Sequence, residues 1–113
     1  MKTEKKSLDD LQQLTDHWIK TIGVRYFNEL TNMTLLMEEV GELARIIART
    51  YGEQSFKESE KTNNIGEEMA DVLWVLICLA NQTGVNLEKE FMAKYEKRTQ
   101  RDLYRYQNNN KLK

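Results

Sequence analysis

Two short segments of this chain each place carboxylates three residues apart: Glu38-Glu39-Val40-Gly41-Glu42 and Glu67-Glu68-Met69-Ala70-Asp71. The pairs are Glu39 with Glu42 and Glu68 with Asp71, and each has a further glutamate just before it. Three-residue spacing puts both members of a pair on one helix face. At about 100° per residue, Leu35, Glu39, Glu42 and Ile46 share a narrow stripe. It borders the expected core stripe of Leu36, Val40, Leu43 and Ile47. On the other segment, Glu68 and Asp71 share their stripe with Val75, Cys78 and Leu79. Both pairs therefore point partly inward. Like charges at this spacing repel, and burial raises the cost. No basic residue lies at helical spacing on either stripe, so a bound divalent cation is the natural remedy.

The ligand types select the cation. All four groups offer hard oxygen, which suits magnesium, with manganese as the alternative. The sole histidine, His17, lies outside both motifs, as a surface or satisfied residue. The carboxylate bundles that hold two irons add histidines from the same helices, and no D-x-D-x-D-G calcium loop occurs. A magnesium ion on protein carboxylates keeps positions open for water or phosphate oxygen, which favours phosphoryl chemistry. Metal ions there can clamp phosphates, activate a water and stabilise leaving pyrophosphate. Glu38 and Glu67 are either an acid/base or extra ligands beside the pairs, or plain helix surface. No G-x-x-x-x-G-K-[ST] loop is present.

Charge is unevenly spread over a chain of net charge −1. Residues 29–71 carry ten acids and four bases, and residues 94–113 carry seven bases and two acids. Two ordinary solvated faces are the plainer reading of that split alone. Even so, Lys94, Arg98 and Arg101 fall at helical spacing and could grip phosphate. Trp18, Tyr26, Phe27 and Trp74 could stack on a base, although each is more often core packing. Asn32 either contacts a nucleotide or caps its helix.

Four helices must position these groups. The chain has 113 residues, five glycines and no proline, which permits long helices. Ser7, with Asp10 as capping-box partner, starts the first, which ends at Gly23. Residues 25–30 connect it to a second helix capped by Thr31 or Asn32 and running to Tyr51-Gly52. Residues 53–63 are polar and read as an exposed loop. Asn63 or Asn64 caps the third helix, which is apolar on nearly all sides and therefore central. Asn86 caps the fourth, with Leu87, Phe91, Met92 and Tyr95 as its inner stripe. The fold class is all-α, a four-helix bundle-like single domain (1–113) with a core of about 7–106 and a frayed polar tail at 107–113. Cys78 is alone and reads as a small buried hydrophobe. The longest apolar run, 72–80, is too short for a membrane span. The start, Met1-Lys2-Thr3-Glu4-Lys5-Lys6, carries no apolar stretch of a secretion signal. A cytoplasmic protein with no membrane or nucleic-acid partner is expected.

The double motif resembles that of the MazG-like nucleotide pyrophosphohydrolases, E-E-x-x-E followed by E-x-x-D. The likeness extends to Tyr26-Phe27 and Leu30-Thr31, to Asp71-Val72-Leu73-Trp74, and to Lys94-Tyr95-Glu96-Lys97-Arg98, covering roughly residues 25–101. The resemblance implies an all-α NTP pyrophosphatase fold, assembled as a homodimer or dimer of dimers. It also implies magnesium-dependent hydrolysis of a (deoxy)nucleoside triphosphate between the α and β phosphates. The implied metal ligands are Glu39, Glu42, Glu68 and Asp71. Glu38 matches the leading motif glutamate, and Lys94 and Arg98 match the phosphate-contacting positions. An asparagine that some relatives carry near Arg98 is missing here, so their substrate preference does not transfer. Two rival readings are a phosphoribosyl-ATP pyrophosphatase or deoxyuridine triphosphatase on the same scaffold, and a non-enzymatic helical module whose carboxylates bind metal or a basic partner.

Overall fold

A computed structural model describes residues 4–60 and 64–113, all helix, turn or loop, with no strand among them. The helices are α1 (Leu8–Thr21), α2 (Glu29–Tyr51), α3 (Ile65–Gln82) and α4 (Leu87–Asp102), with short 3-10 turns at Glu58–Glu60 and Asn110–Leu112. The second turn gives structure to a tail expected to be frayed. Each helix start is held by a side-chain oxygen taking a backbone N–H that has no partner inside the helix. Ser7 and Asp10 form the reciprocal capping box on α1. Asn86 caps α4 through Lys89 N, and Asn64 caps α3 through Glu67 N. The alternative cap Asn63 lies outside the described residues. On α2 the cap is Asn28, which accepts from Thr31 N, so neither Thr31 nor Asn32 plays that part.

The α3–α4 corner needs a glycine. Gly84 adopts φ +70°, and Val85 N bonds back to Ala80 O at 2.9 Å, the pattern that terminates a helix in a left-handed residue. The two helix axes are bent by 101° at this corner. α3 is central as expected. It packs against α2 and α1, and its buried residues Val75, Ile77, Cys78 and Ala80 point in nearly every direction around its axis. No single helix among the described residues is long and apolar enough to cross a membrane.

Two expectations about packing need correction. On α2 the fully buried positions are Asn32 and Ile46, and Ile46 is only 1% exposed; of the stripe expected as core, Leu36 and Leu43 are half-buried while Val40 and Ile47 are 41% and 37% exposed. The inner face is thus turned toward the acidic stripe, by about 80° from the stripe expected as core. On α4 the stripe of Phe91, Met92 and Tyr95 lies at the surface, and Phe91 is 65% exposed. Only Leu87 of that set is half-buried. The whole chain exposes 9499 Å², against about 6,500 Å² for a compact monomer of this mass.

Candidate active site and metal centre

The register of α2 decides where its carboxylates go. Asn32 and Ile46 anchor the inner face against α3, and Glu39 lies between them along that face. Asn64 starts α3 so that Glu68 and Asp71, in its first two turns, meet α2. Carboxylate oxygens of Glu39, Glu68 and Asp71 lie within 4.8 Å of one another. Glu39 and Glu68 are half-buried, while Asp71 is exposed. Glu42 stands one turn further along α2, outside this tight group and exposed. Glu38 and Glu67 are exposed beside it.

The cluster is electrostatically loaded. Loss of solvent, then the charges of Asp71, Glu68, Glu42 and Glu38, push the Glu39 carboxyl above its ordinary value. Loss of solvent, then Asp71, Glu42 and Glu67, do the same to Glu68. Glu42 therefore acts on both members even though it stands outside the tight group. Oxygen-only donors converging from two helices at this separation fit one or more hard divalent cations, which would relieve the repulsion.

One turn beyond the acids the chain is aromatic. Trp74 follows Asp71 by three residues and Leu35 precedes Glu39 by four, so both lie about 5–6 Å along their helices from the carboxylates. They border a cavity of about 280 Å³ that is also lined by Trp18, Phe27, Arg25 and Asn32. Trp18 and Trp74 meet edge to face, with ring centroids 5.3 Å apart and planes at 85°. Asn32 is 4% exposed. Its Nδ2 donates to Gln82 Oε1 at 2.8 Å and to Phe27 O at 3.4 Å. Gln82 Nε2 also donates to Phe27 O. These bonds hold the α1–α2 connector over the cavity.

The connector is held from a second side through Tyr26 by Asp16, Asn81 and Gln12, three residues that sequence reasoning passed over. Tyr26 donates its hydroxyl proton to Asp16 at 2.6 Å and accepts from Asn81 Nδ2 at 3.0 Å. Burial, then the Asp16 bond, push the Tyr26 phenol up to about 12. Asn81 also donates to Gln12 O at 3.0 Å and accepts from Gln12 Nε2 at 2.9 Å. Gln12 in turn donates to Val85 O and accepts from Leu87 N, at 2.8 and 2.7 Å. This pair of amides thus fixes both the connector, through Asn81, and the start of α4, through Gln12. The available signal was a polar residue on each of two otherwise apolar helix faces.

The basic candidates lie elsewhere. Lys94 and Arg98 line an apolar groove of about 520 Å³ with Leu73, Leu76 and Phe91. Measured by helical rise from the Gly84 corner, Asp71 and Arg98 are separated by roughly 20–25 Å in one chain. Arg101 is engaged by the buried carboxylate of Asp102, Nη2 to Oδ2 at 2.8 Å. The chain therefore gathers Glu39, Glu68 and Asp71, sets Glu42 beside them and Trp18 and Asn32 one turn away. It does not bring Lys94, Arg98 or Arg101 to the same place.

Known proteins give this geometry its relatives. The model of the MazG nucleotide pyrophosphohydrolase domain matches residues 27–105. The uncharacterized protein YpjD of Bacillus subtilis is 39% identical over 101 residues, covering 89% of this chain and 91% of YpjD. A crystal structure of B. subtilis YpjD superposes with a TM-score of 0.74 at 37% identity, covering 84% of this chain and 95% of that one. The crystal structure of the Bacillus-conserved MazG protein, a nucleotide pyrophosphohydrolase, gives a TM-score of 0.69 at 38% identity, over 84% of this chain and 92% of that one.

Proposed function

The chain belongs to the MazG nucleotide pyrophosphohydrolase family, and we propose that it hydrolyses a (deoxy)nucleoside triphosphate to the monophosphate and pyrophosphate. The observation that carries this reading is the convergence of Glu39, Glu68 and Asp71 within 4.8 Å, one helical turn from an aromatic cavity. Phosphates and a base need these two environments side by side. Glu39, Glu68 and Asp71 would hold magnesium or manganese, with Glu42 as the fourth ligand; such an ion supplies charge neutralisation at the phosphates and lowers the pKa of a coordinated water. Glu38 stands beside the cluster and is suited to take the proton from water attacking the α-phosphorus. Trp18 and Trp74, already edge to face with one another, would offer the base one ring face and one ring edge, and Asn32 would face it.

Phosphate contact by Lys94 and Arg98 requires a second copy of the chain. The surplus exposed area of about 3,000 Å² far exceeds the roughly 800 Å² per partner of a stable interface. The apolar exposure lies where two copies could meet: Met33, Met37 and Val40 on α2, and Phe91, Met92 and Tyr95 on α4. A homodimer, or a dimer of dimers, would cover these stripes and place the α4 cations of one copy at the acids of another. Arg101, held by Asp102, would support α4 instead of touching phosphate.

The bond cut is tested by turnover with magnesium in oxygen-18 water. Attack at the α-phosphorus places the label in the monophosphate and releases unlabelled, intact pyrophosphate. Release of single phosphate with a nucleoside diphosphate sinks the reading.

A further inference from the structure

The aromatic cavity between α1, α2 and α3 holds one buried amide with half of its bonding unused. Asn32 lines the cavity and is 4% exposed. Its Nδ2 is committed to Gln82 Oε1 and Phe27 O, at 2.8 and 3.4 Å, and Gln82 Nε2 donates to the same Phe27 carbonyl. These bonds fix which way round the amide stands. Turned over, Asn32 would set its oxygen against two other acceptors, Phe27 O and Gln82 Oε1. Oδ1 accepts no hydrogen bond among the described residues, so it is the polar atom that Asn32 has left for the cavity. The other polar side chains there offer no comparable acceptor. The Tyr26 hydroxyl is spent on Asp16 and Asn81, and the arginine and the two indoles only donate.

A buried amide oxygen takes its bond from water until a ligand displaces that water, and the bond is then kept only if the ligand brings an N–H. Asn32 shares the inner face of α2 with Glu39, seven residues on. A nucleotide with its phosphates at the acids therefore extends along that face with its base toward the amide. Resting on the nucleotide reading above, we propose that Asn32 is a specificity-determining residue whose Oδ1 accepts a hydrogen bond from an N–H on the edge of the base. Adenine, cytosine, guanine, thymine and uracil each carry such a donor, so Asn32 admits them all and sets no order among them. It selects against bases without a donor, because these displace the water and leave the buried oxygen bare. The same amide ties Phe27 in place with its nitrogen and reads the ligand with its oxygen.

The test is isothermal titration calorimetry of the full chain in magnesium with nucleoside monophosphates, which the proposed reaction does not turn over. CMP, UMP, AMP and GMP identify the base that binds most tightly. A second titration exchanges that base for one without an N–H, pyrimidin-2-one for a pyrimidine or unsubstituted purine for a purine. The native chain is expected to bind the exchanged nucleotide about tenfold more weakly, the cost of one buried acceptor left bare. Asn32→Leu is expected to bring the two affinities together. Gln82→Leu, which loosens the connector but keeps the Asn32 oxygen, is expected to retain their ratio even if both affinities fall. Asn32→Ser, too short to reach the base, makes the same comparison if circular dichroism shows Asn32→Leu to be unfolded. Equal affinity for both nucleotides in the native chain overturns the proposal, and so does an undiminished ratio in the Asn32 variants. No binding of any of the canonical nucleotides overturns it together with the nucleotide reading. Discrimination without oxygen-18 incorporation from a triphosphate overturns the hydrolysis reading alone; incorporation without discrimination overturns only the role of Asn32.

Discussion

The α2–α3 half of this molecule and its α4 end treat their functional residues in opposite ways. Glu39, Glu68 and Asp71 are brought together inside one chain, on helices whose inner faces pack against each other. Lys94 and Arg98 sit on a helix whose apolar stripe has almost nothing of its own chain to cover it. The acidic half is finished by folding. The basic half carries the cations proposed to contact phosphate, but away from the acids, and the same helix has an apolar stripe that its own chain leaves exposed. Both deficits are met at once if one event, association of two copies, supplies cover and position together.

The sharpest way to break this comparison is on the acidic side. Glu39→Gln and Asp71→Asn remove a charged ligand while relieving repulsion, so folding should survive. Turnover should fall about 1,000-fold or more, because a correctly held cation is worth several kcal/mol to phosphoryl transfer. Steady-state rates beside melting curves check both parts. Near-normal turnover in either variant would remove that residue from the site.

A smaller effect tests the basic side. Arg98→Ala alone should lower kcat/KM without the collapse seen for Asp71→Asn. Mixing it with Asp71→Asn under conditions that let subunits exchange should then restore activity. If acids and bases of one site come from different copies, half the dimers are mixed and each carries one intact site. Recovery to about a quarter of the native rate is then expected from random pairing. Mixtures no more active than the average of the two variants would show that Arg98 does not serve a partner's site.

What could be read from the residues follows the same division. The caps Ser7, Asn64 and Asn86 and the acidic pairs were legible because they are local: a short polar side chain acts on a backbone N–H three residues away, and helical phase needs only one helix. The α2 register was misjudged because apolar residues flank the acids on both sides. Leu35 stands next to Leu36, and Ile46 next to Ile47, so periodicity alone could not choose the inner stripe. Asn32 was legible as a candidate, but its bond to Gln82 spans 50 residues, and no local rule reaches that far. Phe91, Met92 and Tyr95 were read as inward because an apolar stripe implies cover. It does not say that the cover belongs to the same chain.

The subtlest expected effect concerns stability, and its sign depends on what neutralises the acids. Glu39 and Glu68 titrate above their ordinary 4.5 in the folded chain, through lost solvent first and neighbouring carboxylates second. Between 4.5 and the raised values the folded chain holds more protons than the unfolded one. Stability in chelator must therefore fall as pH rises through that window. Asp10, Asp16 and Asp102 are lowered from 3.8, mainly by hydrogen bonds from Ser7, Tyr26 and Arg101 respectively. Their contribution is present above 3.8 and is lost only on further acidification, so the two trends occupy different pH ranges. Melting temperatures in chelator from pH 4.5 upward should decline for the native chain, and the double variant Glu39→Gln, Glu68→Gln should flatten the decline. At pH 7, magnesium at about 100 times its Kd should add about 2.7 kcal/mol, read as a higher Tm. Glu42→Gln should show a smaller rise, because it keeps the three-carboxylate group but loses the fourth charge acting on it. An equal rise in both proteins would remove Glu42 from the ligand set and leave the cation to Glu39, Glu68 and Asp71.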